Sequence, residues 1–357
     1  MRLAVSSDRV PFWLYALIVF GLLAVVGGPI GAPAILVFTS ACVGLIPLAG
    51  LIGHATGQLA VRVGPHWGGL LNATFGNAAE LIITILALHE GLFTLVKASI
   101  TGSIIGNTLL VLGAALLVGG LRHGLLTFDL RQAGLGSSLM ILAVSGLFLP
   151  AIFSTLVPDE ARLEELSVVV ALILLASYAA YLVYLLRTTR SDAEEHGEHT
   201  AEWSIRRGLL ALLGATVGTA IVSDVLVNAV TPVTAQLGWT ELFLGVIVIP
   251  IVGNAAENWA AVRAAAHNHV DLTLGITAGS STQIPLFVTP VLILISLAIG
   301  QPMTLVFQPL ELLVLGLTTA ISAYIALDGE SNWLEGVLLL ALYLMTATVF
   351  FLDPIAV

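Results

Sequence analysis

The chain has 357 residues, 58% of them hydrophobic and only 10% charged, with a mean hydropathy of +1.04. A water-soluble domain of this length cannot bury so much apolar surface, whereas a bilayer requires it, at about 20 apolar residues per helical span. Twelve Lys and Arg against 22 Asp and Glu, a formal net charge of -10, exclude nucleic acid and anionic headgroups as main partners and point to cations, and the single cysteine, Cys42, excludes a disulfide framework or a thiolate metal site.

Apolar runs bounded by charges, Gly and Pro predict an all-α membrane protein of about 11 transmembrane helices. The first run, Pro11 to Val26, follows Arg2 and Arg9 like a signal peptide, but the many spans after it make it an uncleaved first span. Further spans are predicted at Ala34 to Val61, Gly68 to Leu88, Leu95 to Val118, Gly134 to Phe153 and Leu166 to Leu186. The polar stretch Arg187 to Arg207 follows, with Asp192, Glu194, Glu195, His196, Glu198, His199 and Glu202, and reads as a solvated loop that attracts cations at most weakly. The last five runs are Gly208 to Val230, Leu242 to Ala265, Leu272 to Ile299, Leu310 to Leu327 and Asn332 to Leu352.

This arrangement puts Arg2, Arg9, Arg62, Arg122, Arg131, Arg187, Arg190, Arg206, Arg207 and Arg263 on the side of the N-terminus. Only Lys97 and Arg162 fall opposite. The positive-inside rule then makes the N-terminus cytoplasmic and the C-terminus external in a cell inner membrane.

Phe75-Gly76-Asn77-Ala78-Ala79-Glu80 recurs as Val252-Gly253-Asn254-Ala255-Ala256-Glu257, an offset of 257 − 80 = 177 residues. The same offset lays Gly102-Ser103 on Gly279-Ser280, Gly68 on Gly245 and Leu109 on Leu286. It pairs spans three and four with eight and nine, leaving one extra N-terminal helix and two five-helix repeats. An odd number of spans per repeat inverts the second repeat relative to the first, the design of secondary transporters with a midplane site. The expected divisions are an N-terminal helix at 1–33, a first repeat at 34–190, an acidic cytoplasmic loop at 191–207 and a second repeat at 208–357.

Glu80 lies twelve residues into its span, roughly mid-membrane at about 1.5 Å per residue. An acid there costs about 2.5–3.5 kcal/mol or more, so Glu80 and Glu257 are the leading candidates for binding an ion or protons. Two carboxylates with amide and hydroxyl oxygens suit a hard divalent cation, and calcium better than softer metals. Asn77 and Asn254 stand three residues before each Glu, with Ser103, Ser280 and Gln283 as further oxygen donors. A second tier comprises Thr84, Ser99, Asn107, Ser281 and the helix-loosening Gly76 and Gly253, together with the intramembrane acids Asp224 and Glu311. Each has a bland alternative in helix packing or an interhelical hydrogen bond. His54, His66, His89, His123, His267 and His269 are expected at the interfaces.

With both Gly-Asn-Ala-Ala-Glu segments in view, the chain resembles the cation/proton exchanger (CAX) family of the calcium/cation antiporter superfamily. The likeness runs through Gly68 to Ile83, Lys97 to Ser103, Pro250 to Glu257 and Gly279 to Gln283, and extends to the acidic loop. It implies export of Ca2+ from the cytoplasm in exchange for H+, with Glu80 and Glu257 as metal ligands and proton carriers. No enzymatic activity and no resident cofactor are implied; the partners are Ca2+, H+ and the lipid bilayer, with a homo-oligomer compatible. Two departures stand out: members often have Glu where Gly57 follows Ala55-Thr56, and His where Asn258 follows Glu257. The nearest rival is a sodium-coupled calcium exchanger. An ion channel fits inverted halves poorly, and neither His-Glu-x-x-His nor Gly-x-Ser-x-Gly occurs to support a hydrolase.

Overall fold

A computed structural model describes residues 16–64, 68, 71, 74–188 and 202–353. The N-terminal part of the first predicted span, four positions of the third and most of the acidic loop lie outside the described residues. The architecture is helical: α1 (Ile18–Gly27), α2 (Ala34–Val63), α3 (Ala78–His89), α4 (Phe93–His123), α5 (Leu130–Leu156), α6 (Glu160–Thr188), α7 (Ile205–Leu237), α8 (Glu241–Gly253), α9 (Ala255–Ala266), α10 (Val270–Ala298), α11 (Pro309–Ile325) and α12 (Trp333–Leu352). Among the described residues seven helices are long and apolar enough to cross a bilayer, and α8 with α9 makes an eighth if that pair, bent by 63°, is one span. Helices α1, α3 and α11 are shorter apolar helices. One addition to the all-helical expectation is a two-residue antiparallel pair, β1 (Leu126–Thr127) with β2 (Glu330–Ser331), which joins two interhelical loops through their main chains.

Position in the bundle follows burial. The most apolar stretches of α4 and α10 are 72% and 61% buried, against 28% in α6 and α12, so α4 and α10 form the centre. The outer helices turn Leu149, Leu172, Leu213 and Leu344 outward, where a bilayer would solvate them. Small residues let the central backbones approach. A Cβ at Gly102 of α4 would collide with the Val246 main chain of α8, and one at Gly245 would collide with Ala98.

The 177-residue offset reappears in the element boundaries. Adding 177 to the limits of α3 gives 255 and 266, the limits of α9. The π-helical segment Gly106–Val111 inside α4 maps onto 283–288, and α10 carries its own at Ile284–Val288. A third lies in α8 at Leu244–Val248. Such segments insert an extra residue into a helical turn and cluster at functional positions.

Candidate ion-binding site

Both motif asparagines stand where a helix is interrupted. Asn77 (φ −101°, ψ 25°) precedes α3 and Asn254 (φ −96°, ψ 8°) separates α8 from α9. Gly76 lies in the first turn and Gly253 closes α8. Neither Asn side chain caps its own helix. Instead each reaches the other half of the chain: Asn77 Nδ2 donates to Gln283 Oε1 at 2.7 Å, Ser280 Oγ donates to Asn77 Oδ1 at 2.8 Å, and Asn254 Nδ2 approaches Ser103 Oγ at 3.5 Å.

Helix α3 opens on Ala78 and Ala79 and presents Glu80 in its first turn, where the helix dipole favours negative charge. Glu80 is 3% exposed, and its carboxylate packs on Gly253, where a Cβ would stand 3.5 Å from Oε1. Glu257 occupies the matching first turn of α9, within electrostatic reach of Glu80 and beside Ser280. Glu257 is partly exposed, unlike Glu80. Both Glu80 oxygens, Glu257 Oε2, Asn254 Oδ1 and Asn258 Oδ1 are buried without a hydrogen-bond partner. Buried oxygens left unpaired cost about 1–3 kcal/mol each, and more when charged. A cation or protons are what such a group of acceptors lacks. Among the described residues no three His, Cys, Asp or Glu side chains cluster, so amide, hydroxyl, main-chain or water oxygens must complete any ion's shell.

The second-tier residues divide. Ser99 and Asn107 are buried on α4, with Ser99 Oγ and Asn107 Nδ2 unpartnered. Ser281 bonds Thr108 at 3.1 Å, a contact between α10 and α4 that sequence reading missed because Thr108 lies outside every motif. Thr84, expected on the face of Glu80, donates its hydroxyl to the Glu80 main-chain carbonyl at 2.6 Å, as helical Thr commonly does. Asp224 is exposed on α7, lining a shallow cavity with Gly28, Ala34 and Asn228, away from the carboxylates. Glu311 is buried, but Thr101 Oγ1 and the Gln308 main-chain N occupy its two oxygens at 2.9 Å each. At the first departure from the resemblance, Gly57 faces open space and Gln58 Oε1 accepts from Trp203 N at 3.1 Å.

The family model described as sodium/calcium exchanger protein matches residues 33–187 and 207–352. The chain belongs to the sodium/calcium exchanger protein family. Similar proteins within reach of this family member include the Ca(2+)/H(+) antiporter of Aphanothece halophytica, 42% identical over 338 residues, 89% of this chain and 91% of that one. The Ca(2+)/H(+) antiporter ChaA of Bacillus subtilis is 40% identical over 337 residues, 92% and 96% of the two chains. The crystal structure of the selenium-substituted Ca2+/H+ antiporter protein YfkE superposes with a TM-score of 0.84 at 38% identity, covering 96% of this chain and 99% of that one. These relatives are named as antiporters and not as enzymes, and the multi-pass helical architecture is that of a membrane transporter.

Proposed function

We propose that this chain is a secondary antiporter that exports Ca2+ from the cytoplasm in exchange for H+. One observation carries the reading: the motif carboxylates Glu80, packed on Gly253, and Glu257, within electrostatic reach of it, both have buried oxygens without a hydrogen-bond partner, in a chain about 40% identical over most of its length to Ca(2+)/H(+) antiporters. Glu80 and Glu257 are the ion and proton carriers. Asn77, Asn254, Ser103, Ser280 and Gln283 set their surroundings, and Ser99 and Asn107 offer further polar groups.

The inverted repeat supports the same reading. About eleven spans, one N-terminal helix followed by repeats at 34–190 and 208–357, agree with the shared 177-residue spacing of breaks and π segments and with the lopsided arginines. The N-terminus and the 191–207 loop are then cytoplasmic and the C-terminus external, in a cell inner membrane.

Coupling follows from charge. With both Glu ionised the empty site carries two negative charges where solvation is poor, a strongly penalised state. One Ca2+ brings the sum to zero, and so do two protons. Either loaded form can reorient while the empty form cannot, which makes exchange obligatory.

The test is pH-gradient-driven calcium-45 flux in proteoliposomes with Na+ and K+ omitted in turn. Flux that persists without either ion supports proton coupling. Flux that requires a sodium gradient and ignores pH overturns it in favour of a sodium-coupled exchanger.

A further inference from the structure

The two helices that carry the motif carboxylates end alike. At the close of α3, Gly91 N donates to Leu88 O at 3.1 Å and Leu92 N to Ala87 O at 2.9 Å; at the close of α9, Asn268 N donates to Ala265 O and His269 N to Ala264 O, both at 3.0 Å. These are the paired bonds of a Schellman cap, and its left-handed residue is Gly91 at φ 74° in one helix and Asn268 at φ 62° in the other. The 177-residue offset relates each member of one cap to its counterpart in the other. One turn back, Leu86 O accepts from Glu90 N at 3.1 Å and Arg263 O lies 2.8 Å from the His267 ring. Among the described residues the last carbonyl of each helix, His89 O in α3 and Ala266 O in α9, finds its donor elsewhere.

Each donor comes from the end of a long central helix in the other half of the chain. Gln301 Nε2, just past α10, donates to His89 O at 3.3 Å. His123 Nε2 and Arg122 Nη1, at the end of α4, stand 3.1 Å and 3.5 Å from Ala266 O. A carbonyl can only accept, so the ring nitrogen is the donor. Residues 122–124 and 299–301 are themselves related by the 177-residue offset. The chains run close at both places: a Cβ at Gly119 would stand 3.0 Å from Ala265 O, and one at Gly91 would stand 3.8 Å from Gln301 Oε1. The same tie therefore occurs twice at equivalent points of the fold, made by different side chains.

Glu80 and Glu257 each lie nine residues before the tied carbonyl, about 14 Å along a rigid helix. Each helix also starts at its Asn break, so its direction is not inherited from an unbroken helix before it. Whatever holds the far end therefore aims the carboxylate. We propose that Gln301 and the Arg122–His123 pair are crossed clasps, each fixing one carboxylate helix to the long central helix of the other half, and that together they set the separation of Glu80 and Glu257 at which calcium is bound. All three are positioning residues, not ligands of the ion. The inference rests on the reading of Glu80 and Glu257 as ion carriers.

The test measures pH-driven calcium-45 flux at one fixed pH gradient over a range of calcium concentrations, with melting in detergent alongside. Gln301→Ala removes one clasp, and Arg122→Ala with His123→Ala removes the other. Each is expected to raise the half-saturating calcium concentration several-fold with little change in maximal rate. Arg122→Ala with His123→Gln, which puts an amide donor in place of the ring nitrogen, is expected to restore most of the wild-type value. His267→Ala, which loses a bond inside α9 but no tie to another helix, is expected to leave half-saturation unchanged. Clasp variants that melt and half-saturate like wild type overturn the proposal. So does an equal rise in His267→Ala, or a clasp variant recovered only unfolded, because either makes the bond a matter of general stability. Glu257→Gln separates the two readings. Wild-type flux in that variant sinks the carrier reading, whereas an inactive Glu257→Gln beside clasp variants with wild-type half-saturation sinks the clasps alone.

Discussion

Ser280 donates its hydroxyl to Asn77 Oδ1 at 2.8 Å, whereas the pair related to it by the 177-residue shift, Ser103 and Asn254, stands at 3.5 Å. The difference has a cause one turn away. Gln283 gives Asn77 a second partner, while the residue 177 positions earlier is Gly106, which has no side chain to offer. One half of the constellation is clasped and the other is loose.

Asn77→Ala should therefore destabilise more than Asn254→Ala. The first leaves Ser280 and Gln283 without a shared partner, at about 1–3 kcal/mol per unsatisfied buried group. The second removes one long bond. Thermal melting of both variants in detergent checks the order, and a lower melting temperature for Asn254→Ala would contradict it.

Glu80→Gln and Glu257→Gln are each expected to abolish calcium exchange while the protein still inserts and melts no lower than wild type. An amide keeps the shape but loses the charge that offsets desolvation of the ion, and it removes a buried unpaired carboxylate from the empty protein. Flux measurements paired with melting curves test both halves. Wild-type flux in either variant would remove that Glu from the site.

Gly102→Val should overpack the contact with α8, where even a Cβ meets the Val246 main chain. Overpacking costs about 1–3 kcal/mol when the backbone must shift. Gly53→Ala on α2 meets nothing within 4 Å and serves as the control. Comparable melting of the two variants would show that α4 and α8 are free to part.

With two carboxylates as the only titrating groups, exchange runs at two protons per calcium and moves no net charge. The equilibrium calcium gradient at fixed pH gradient should then be flat as potassium and valinomycin set the membrane potential. A steep dependence on voltage would implicate a further charge.

Trp203 clasps α2 at the end of the acidic loop. Its ring lies 4.8 Å from His54 and 4.6 Å from the Arg207 guanidinium, and Arg62 Nε donates to its carbonyl at 3.0 Å. Deleting Asp192 to Glu202 removes none of these residues and should leave flux measurable, whereas Trp203→Ala should speed proteolysis of the loop. A well-folded deletion with no flux would give the loop an essential role.

The apolar runs, the 177-residue duplication and the two Asn-x-x-Glu pairs were legible in the sequence because composition and repetition carry them. Side-chain direction was not. In an apolar helix the bilayer removes the polar face that would orient it, so nothing in the sequence separates Asp224, exposed on α7, from Glu311, enclosed behind α4. Spacing placed Thr84 on the Glu80 face but could not reveal that its hydroxyl is engaged by the main chain. The π segments were equally silent, since they change hydrogen-bond register without changing composition. The partners of Asn77 come from residues more than 200 positions away, a separation that no local pattern encodes.

The segment Gly106–Val111 gives α4 a property that its apolar composition hides. One residue more per turn rotates everything downstream by roughly 100° relative to an unbroken α-helix. The length of α4 before the segment and the length after it are thus aimed independently, Ser103 toward Asn254 and Gly113 toward Leu339 and Gly336 of α12. Loss of a single codon there would leave a more regular helix, one residue shorter, with one of its two faces pointing the wrong way. The count of residues between the two contacts therefore matters to this helix as much as the residues that make them.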